Sequence, residues 1–505
     1  MRMRNVRVRL ACVVGLMLAG AMASWAQDDQ ASPDAVKFKS LFSFDGANGQ
    51  YPERNLVQGL DGNLYGTTGF GGTGNPACFG PGVVFKLTPA GAETTVYDFG
   101  SKPNCADGSF PAEFGTLALG TDGKLYGATS SSGAGGPSGN GTVFEITPGG
   151  ALTTLYSFCL QPNCVDLGIP YSGLVRAADG AFYGIMPGGG ANSNPSYCRY
   201  SPDGITCGAA YKITPQGVFS LIYSFCSLTN CTDGAVPVAQ LISGTDGKLY
   251  GTTYVGGANN YGTVFSLTLG GKLTTLHSFN GTDGGLCFPC APLVQANNGA
   301  IYGTSSIGGT NNGNGTFYVV TPTGTFTTLY NFCSQANCAD GANPYTFVQA
   351  TDGNFYGVTQ FGGSSSNCGT VFEMTATGTL TTLHSFNGAD GCYPAGIMQA
   401  TNGALYGETA GGANGDGALV SLSVGLGPFV ETLPSSGKVG AHVEILGSDL
   451  TGATSVTFNG IAAEFTAKSA TLISATVPVG ATSGEVEVVT PTRTLKSNTR
   501  FVVRP

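Results

Sequence analysis

Charge is scarce in this chain. Asp, Glu, Lys and Arg make up 10% of its 505 residues, and acids outnumber bases 30 to 21. Nothing resembles a basic stripe that would follow a phosphate backbone, which argues against a nucleic-acid partner. Histidine occurs three times and tryptophan once. Beyond the N-terminus no apolar run is long enough to cross a membrane as a helix. The abundant residue is glycine, at 81 copies, beside a 41% hydrophobic fraction. That balance suits an all-β chain with many tight turns. Disorder is the other source of abundant glycine, and the regular apolar runs argue against it.

The N-terminus reads as a signal peptide over residues 1–26. Arg2, Arg4, Arg7 and Arg9 precede a short apolar core, Leu10 to Ala23, and Ser24 and Ala26 flank Trp25 at a cleavage-like site. Its removal takes away four arginines and no acid, so the remainder is more acidic. Cys12 lies too early in the apolar core to carry a lipid, which favours release. An exported chain is a secreted or cell-surface protein, or a periplasmic one. The fourteen cysteines outside the leader are even in number, and disulfides are their default state there.

A Tyr-Gly step marks seven copies of one pattern, at Tyr65, Tyr126, Tyr183, Tyr250, Tyr302, Tyr356 and Tyr406, at intervals of 50 to 67 residues. Periods of that length with several short strands each signal a propeller or an array. Each copy reads as four strands. The first ends in a turn doublet, Asp61-Gly62 through Asn402-Gly403, of the kind that supplies φ > 0 in a two-residue hairpin. The LYGTT segment is the second strand, and a loop with a Gly doublet follows it. The third strand is the GTVF type, and the fourth is TTLYSF or TTLHSF. Adjacent positions such as Val143 and Phe144 are both apolar, although strand neighbours point to opposite faces. A sheet packed between two others needs that; a sheet facing solvent does not.

The seventh copy lacks its fourth strand, and Lys37 to Gly46 matches that strand in sequence. The expectation is a seven-bladed β-propeller over 36–427, closed when the N-terminal strand completes the last blade. Closure removes exposed sheet edges. The combined LYGTT, Gly-Gly, GTVF and TTLYSF pattern resembles the GloVer-type tandem repeats of choice-of-anchor exported bacterial proteins. The Gly doublets also resemble kelch repeats, more weakly. The first resemblance implies a propeller-like extracellular protein. Members often carry a C-terminal anchoring tail, and none is visible here. Residues 428–505 leave the repeat and alternate as short strands, His442 to Leu446 and Gly484 to Val489 among them, without a cysteine. Motifs such as Val456-Thr-Phe-Asn-Gly460 resemble an IPT/TIG immunoglobulin-like domain, which implies a small β-sandwich acting as a spacer or interaction module.

Alternate connections of a meander lie on opposite faces, so the long Gly-rich loops and the loops after TTLYSF share one face. All fourteen cysteines fall there or at its edges. Spacing pairs Cys159 with Cys164, Cys226 with Cys231, and Cys333 with Cys338. Cys198–Cys207 would staple one long loop, and Cys78–Cys105 and Cys368–Cys392 would join corresponding loops. Cys287 and Cys290 remain, without the context of a redox or zinc site. The same face repeats an acid, at Asp45, Asp107, Asp166, Asp233, Asp283, Asp340 and Asp390. Turn stabilisation is one reading; a ring of oxygens binding Ca²⁺, the one cofactor considered, is the other. At the first-strand position expected to line a central channel stand Gln58, Leu119, Arg176, Ser243, Gln295, Gln349 and Gln399. A mostly amide ring suits a polar ligand such as a glycan. It offers no paired carboxylates for glycoside cleavage. His277 and His384 occupy the Tyr156 slot of another copy and read as strand residues, not bases. The function expected is binding of an extracellular polysaccharide or surface protein. The alternatives are a lyase or hydrolase using loop carboxylates, and a purely structural scaffold.

Overall fold

The computed structural model describes residues 36–504, apart from 79, 112–114, 137–138, 161–168, 202–204, 286–290 and 365. Among the described residues no helix is long and apolar enough to cross a membrane. The signal-peptide reading, Cys164, Asp166, Cys287 and Cys290 lie outside them.

Among the described residues the repeats form seven antiparallel sheets in chain order. The fourth shows the local logic, with Lys248–Val255 pairing with Thr263–Thr268, and that strand with Leu273–Ser278. Gly251 lies opposite Phe265, whose ring fills the space that a side chain at Gly251 would need. That contact explains why glycine follows tyrosine there. The tyrosine hydroxyl turns back to the hairpin: Tyr250 donates to Asp246 at 2.8 Å, and Tyr65, Tyr126, Tyr183 and Tyr356 do the same to Asp61, Asp122, Asp179 and Asp352. One aspartate thus shapes the turn and ties it to the second strand.

Apolar clusters sit between successive sheets. Tyr65, Val84 and Phe99 of the first sheet meet Leu117, Leu125 and Phe144 of the second, and the same arrangement recurs along the chain. The two faces of a third strand are therefore both buried, as Val143 and Phe144 show at 0% exposure. One further cluster joins the ends. Leu56, Leu64 and Phe85 of the first sheet pack with Tyr406 and Leu419 of the seventh, and Phe44 lies among them. The strand Lys37–Ser43 runs antiparallel to Ala418–Ser423, so the seventh sheet is completed from the N-terminus.

Residues from Glu431 onward form two four-stranded sheets and a two-stranded parallel pair around one core, in which Val443, Ile445, Val456, Ile473, Val486 and Val488 are buried. Phe458 and Phe501 meet edge to face at 5.0 Å within it. This domain docks on the end of the repeats that carries the Asp-Gly turns. Thr471 Oγ1 donates to the Leu60 carbonyl at 3.1 Å, and Asn498 Nδ2 to the Gln349 carbonyl at 3.1 Å. Asn297 Nδ2 reaches the Asn498 carbonyl at 2.9 Å, and the Phe429 N–H reaches Thr401 O at 3.0 Å.

Candidate binding faces at the two ends of the channel

The first strands end in the glutamine position singled out from the sequence. Each glutamine there acts as a joint. The Oε1 of Gln58 accepts the Thr401 N–H at 2.9 Å, that of Gln295 the Thr245 N–H at 2.7 Å, that of Gln349 the Asn297 N–H at 2.9 Å, and that of Gln399 the Thr351 N–H at 3.1 Å. In each case the donor belongs to the preceding sheet. Each Nε2 donates to the turn glycine carbonyl four residues on, Gly62, Gly299, Gly353 or Gly403. Both ends of the amide are engaged within the protein. These four glutamines, singled out from the sequence as lining the channel, fasten neighbouring sheets.

The joint is missing where the sequence breaks the pattern. Leu119, Arg176 and Ser243, on the second, third and fourth sheets, have no side-chain carbonyl to offer. There Gln240 works instead, nearer the other end of the channel. Its Oε1 accepts the Thr116 N–H at 2.8 Å and its Nε2 donates to the Leu174 carbonyl at 2.8 Å, tying three sheets through one side chain. Arg176 is half-buried and makes no hydrogen bond or ion pair with a described residue. Burial lowers its pKa, against the pull of Asp122, Tyr126 and Asp179. It faces a cavity of about 430 Å³ between the first strands and the C-terminal domain, which also touches Leu119, Gln58, Gln349, Gln399 and Glu431. Adjoining spaces of about 610 and 270 Å³ include Ser243 and Gln295, and Arg176 and Ser243, respectively. The Glu431 side chain has no hydrogen-bond partner among the described residues. It lines the cavity and is exposed to its open space, and the desolvation imposed by the surrounding protein raises its carboxyl pKa.

The repeated acids do not converge. Asp107, Asp233 and Asp340 are fully buried, and each accepts a fourth-strand tyrosine hydroxyl and at least one backbone N–H of its own loop. Asp283 and Asp390 do this with His277 and His384, whose Nε2 atoms lie 2.9 and 3.0 Å away. Those imidazoles stack on Phe326 and Phe38, at 3.7 and 3.9 Å between centroids, so they serve as strand residues. Asp45 accepts the Ala47 and Asn48 N–H groups. These six carboxylates are spent on six separate loops and form no shared oxygen cage among the described residues. Among the described residues the one close group of metal-type ligands is Cys198, Cys207 and Cys226. All three are in disulfides and are not free to bind a metal. Disulfides also join Cys78 to Cys105, Cys226 to Cys231, Cys333 to Cys338, and Cys368 to Cys392. Cys159 is disulfide-bonded as well.

One acid at the start of a fourth strand, Glu93, titrates unusually. Burial pushes Glu93 up from 4.5 to about 7; the charge of Asp45 adds to this and a Thr95 hydrogen bond opposes it. Its Oε1 is buried without a partner. Because the folded pKa is raised, protonated Glu93 contributes stability that is complete below pH 4.5 and lost as the pH rises through about 7. Glu93→Gln should therefore raise the thermal midpoint at pH 8 and leave it unchanged at pH 4. Equal shifts at both pH values would contradict that assignment.

The loop face carries a feature the sequence reading passed over. In several copies the residue before a first-strand proline has a left-handed backbone, with φ of 52° at Tyr51, 54° at Phe110 and 55° at Tyr393. Bulky side chains rarely adopt this conformation. Two contacts hold it. The N–H donates to the preceding sheet, from Tyr51 to Asp416 O at 2.8 Å and from Tyr393 to Cys368 O at 2.9 Å. The proline packs on a glycine of that sheet, Gly417 under Pro52 and Gly369 under Pro394, where any side chain would collide with the proline ring. The preceding side chain is thereby presented outward. Tyr51 meets Phe70 at 5.9 Å, Phe70 meets Phe110 at 4.5 Å, and Phe361 meets Tyr393 at 5.5 Å, all edge to face. Tyr51, Phe70, Phe361 and Tyr393 remain 36–45% exposed. The two groups belong to sheets 1–2 and 6–7, on either side of the junction that the N-terminal strand completes. The available signal was the proline recurring shortly after each loop acid.

A profile of the Gloeobacter/Verrucomicrobia repeat matches residues 30–198 and 203–420. The chain belongs to this repeat family. An IPT/TIG domain profile matches residues 429–503. No curated protein matches the chain. Among solved structures, a streptogramin B lyase is similar at 15% identity, over 77% of this chain and 98% of that one, with a TM-score of 0.49. PorZ, a bacterial surface component of the type-IX secretion system of Porphyromonas gingivalis, is similar at 15% identity, over 92% of this chain and 60% of that one, with a TM-score of 0.46. The WD40 β-propeller domain of Doa1 is similar at 12% identity, over 76% and 96%, with a TM-score of 0.45. In this member of the repeat family, the glycine before the third strand and the proline of the next first strand are one contact seen from two sides.

Proposed function

We propose that this is a secreted or cell-surface protein that binds polysaccharide through the aromatic groups on its loop face. Its architecture in this reading is a signal peptide over 1–26, a closed ring of seven blades over 36–427, and an Ig-like domain over 428–505. The sheet-to-sheet clusters and the joint between Gln58 and Thr401 support closure. The disulfides support an oxidising compartment.

The observation that carries the reading is the set of exposed rings held in strained backbone at Tyr51 and Tyr393. Strain of this kind costs about 1–3 kcal/mol per residue and persists where the surroundings enforce it, often at ligand-contacting sites. Flat aromatic faces match the C–H faces of sugar rings. The neutral loops around them, rich in Asn, Thr, Ser and Gly, supply hydroxyl, amide and backbone partners for sugar hydroxyls. A catalytic reading would need converging acids or bases beside these rings, and the loop acids are committed to their own loops.

The test is retention on a panel of insoluble and soluble polysaccharides, followed by affinity electrophoresis. Tyr51→Ala with Phe70→Ala should weaken binding about tenfold or more while leaving the thermal transition within a few degrees, since stacked rings contribute about 0.5–1.5 kcal/mol each. Retention unaffected by this pair and by Phe361→Ala with Tyr393→Ala would overturn the proposal. Release of shortened chains would instead favour a lyase or hydrolase, and the absence of any saturable ligand a scaffold.

A further inference from the structure

We propose a second site at the opposite end of the channel, where the space between the first strands and the C-terminal domain binds a small organic carboxylate on Arg176. The loop-face rings lie at the far end of the same strands, about 25 Å away at the usual rise of a β-strand. The two sites can therefore fail independently.

Four features point to this ligand. Arg176 occupies a position where other sheets carry an amide that fastens the ring, so its presence forfeits a joint. Its guanidinium is half-buried and has no hydrogen-bond or ion-pair partner among the described residues. The two carboxylates whose charge acts on it are already engaged: Asp122 accepts the Tyr126 hydroxyl at 2.9 Å, and Asp179 accepts Tyr183 and Lys212 at 2.8 Å each. A planar fork of donors without a partner matches a carboxylate in two-point contact. The cavity of about 430 Å³ is of ligand size, enough for one or two rings.

Its walls decide between an inorganic anion and an organic one. Leu119, Val175, Met398 and Leu433 line the space beside Arg176. They would desolvate a phosphate or sulfate without returning a hydrogen bond, whereas they suit the carbon body of an organic acid. Glu431 lines the same cavity from the domain side, and its side chain has no partner among the described residues. It can accept a hydrogen bond from a ligand hydroxyl, and when protonated it can donate one. Arg500 and Arg504 border the adjoining spaces, so positive charge gathers at this mouth of an otherwise acidic chain. That arrangement draws anions toward the opening.

The test uses the full chain and calorimetric titration with three carboxylates, galacturonate, benzoate and pyruvate. Galactose and benzyl alcohol are the neutral controls, and sulfate is the inorganic control. At least one carboxylate should bind saturably and its neutral counterpart should not. Arg176→Gln is the decisive variant, because it installs the amide that other sheets use to accept an N–H of the preceding sheet. It should keep or raise the thermal midpoint while weakening carboxylate binding about tenfold or more. Arg176→Lys should retain part of the binding. Absence of binding by all three acids, binding by sulfate as strong as by the acids, or unchanged binding in Arg176→Gln would each overturn the proposal.

Discussion

Deletion of residues 36–44 is expected to abolish the cooperative unfolding of the repeats, or to lower its midpoint by roughly 10 °C or more. The segment is short, but it touches two inter-sheet cores. Phe44 is fully buried between the seventh and first sheets, and Phe38 packs with Phe386 between the sixth and seventh. Phe44→Ala alone should cost about 3–5 kcal/mol. Deletion also strips the partner from Ala418–Ser423 and leaves a bare edge that invites aggregation. Adding a synthetic peptide of residues 36–46 to the truncated chain should restore part of the transition, as followed by circular dichroism. A truncated chain that melts like the intact one would show that the strand is an appendage and that the repeats hold without it.

Asp233→Ala should cost about 3 kcal/mol or more, against a smaller loss for Asp233→Asn. The carboxylate is fully buried and accepts the Tyr223 hydroxyl at 2.6 Å, the Ser227 N–H and hydroxyl at 2.9 Å each, and the Leu228 N–H at 3.2 Å. Alanine leaves these donors unsatisfied in the interior, and that penalty exceeds the average worth of the bonds. Burial and the neighbouring carboxylate together hold the Tyr223 phenol well above its usual pKa, so it stays a neutral hydrogen-bond donor across the ordinary pH range. Chelation separates this role from calcium binding. If the acids serve their loops, EDTA leaves the midpoint of the intact chain unchanged. A midpoint that falls with EDTA and recovers with Ca²⁺ would put the metal back and displace the hydrogen-bond account.

The elements that repeat locally were readable from the chain. The Asp-Gly turn and the Tyr-Gly step lie four residues apart, and the hydrogen bond between Tyr250 and Asp246 spans that distance. The displaced strand at Lys37 was readable too, because counting strand types leaves one short at the end and one spare at the start. Contacts between copies were not. Gln58 and Thr401 are 343 residues apart, and nothing near either residue announces the other. Exposure of Tyr51 depends on a proline, a glycine and a carbonyl on two sheets, so hydropathy alone reads it as an ordinary strand residue. Docking of the C-terminal domain over the channel rests on scattered polar side chains, Thr471, Asn498 and Asn297, that have no periodicity to find.

The glutamine joints have a consequence for how such chains lengthen and shorten. Each joint runs head to tail, with the acceptor on one copy and the donor on the copy before it. A duplicated copy therefore arrives carrying half of each new joint, ready to mate with its neighbours without compensating substitutions. Losing a copy likewise leaves complementary halves facing each other. The three consecutive copies that lack the joint are the exception: Gln240 binds them as a set, and a change of copy number inside that arc would break it. Gain and loss of repeats should accordingly concentrate between the fifth copy and the first, with the arc around Arg176 inherited as a block.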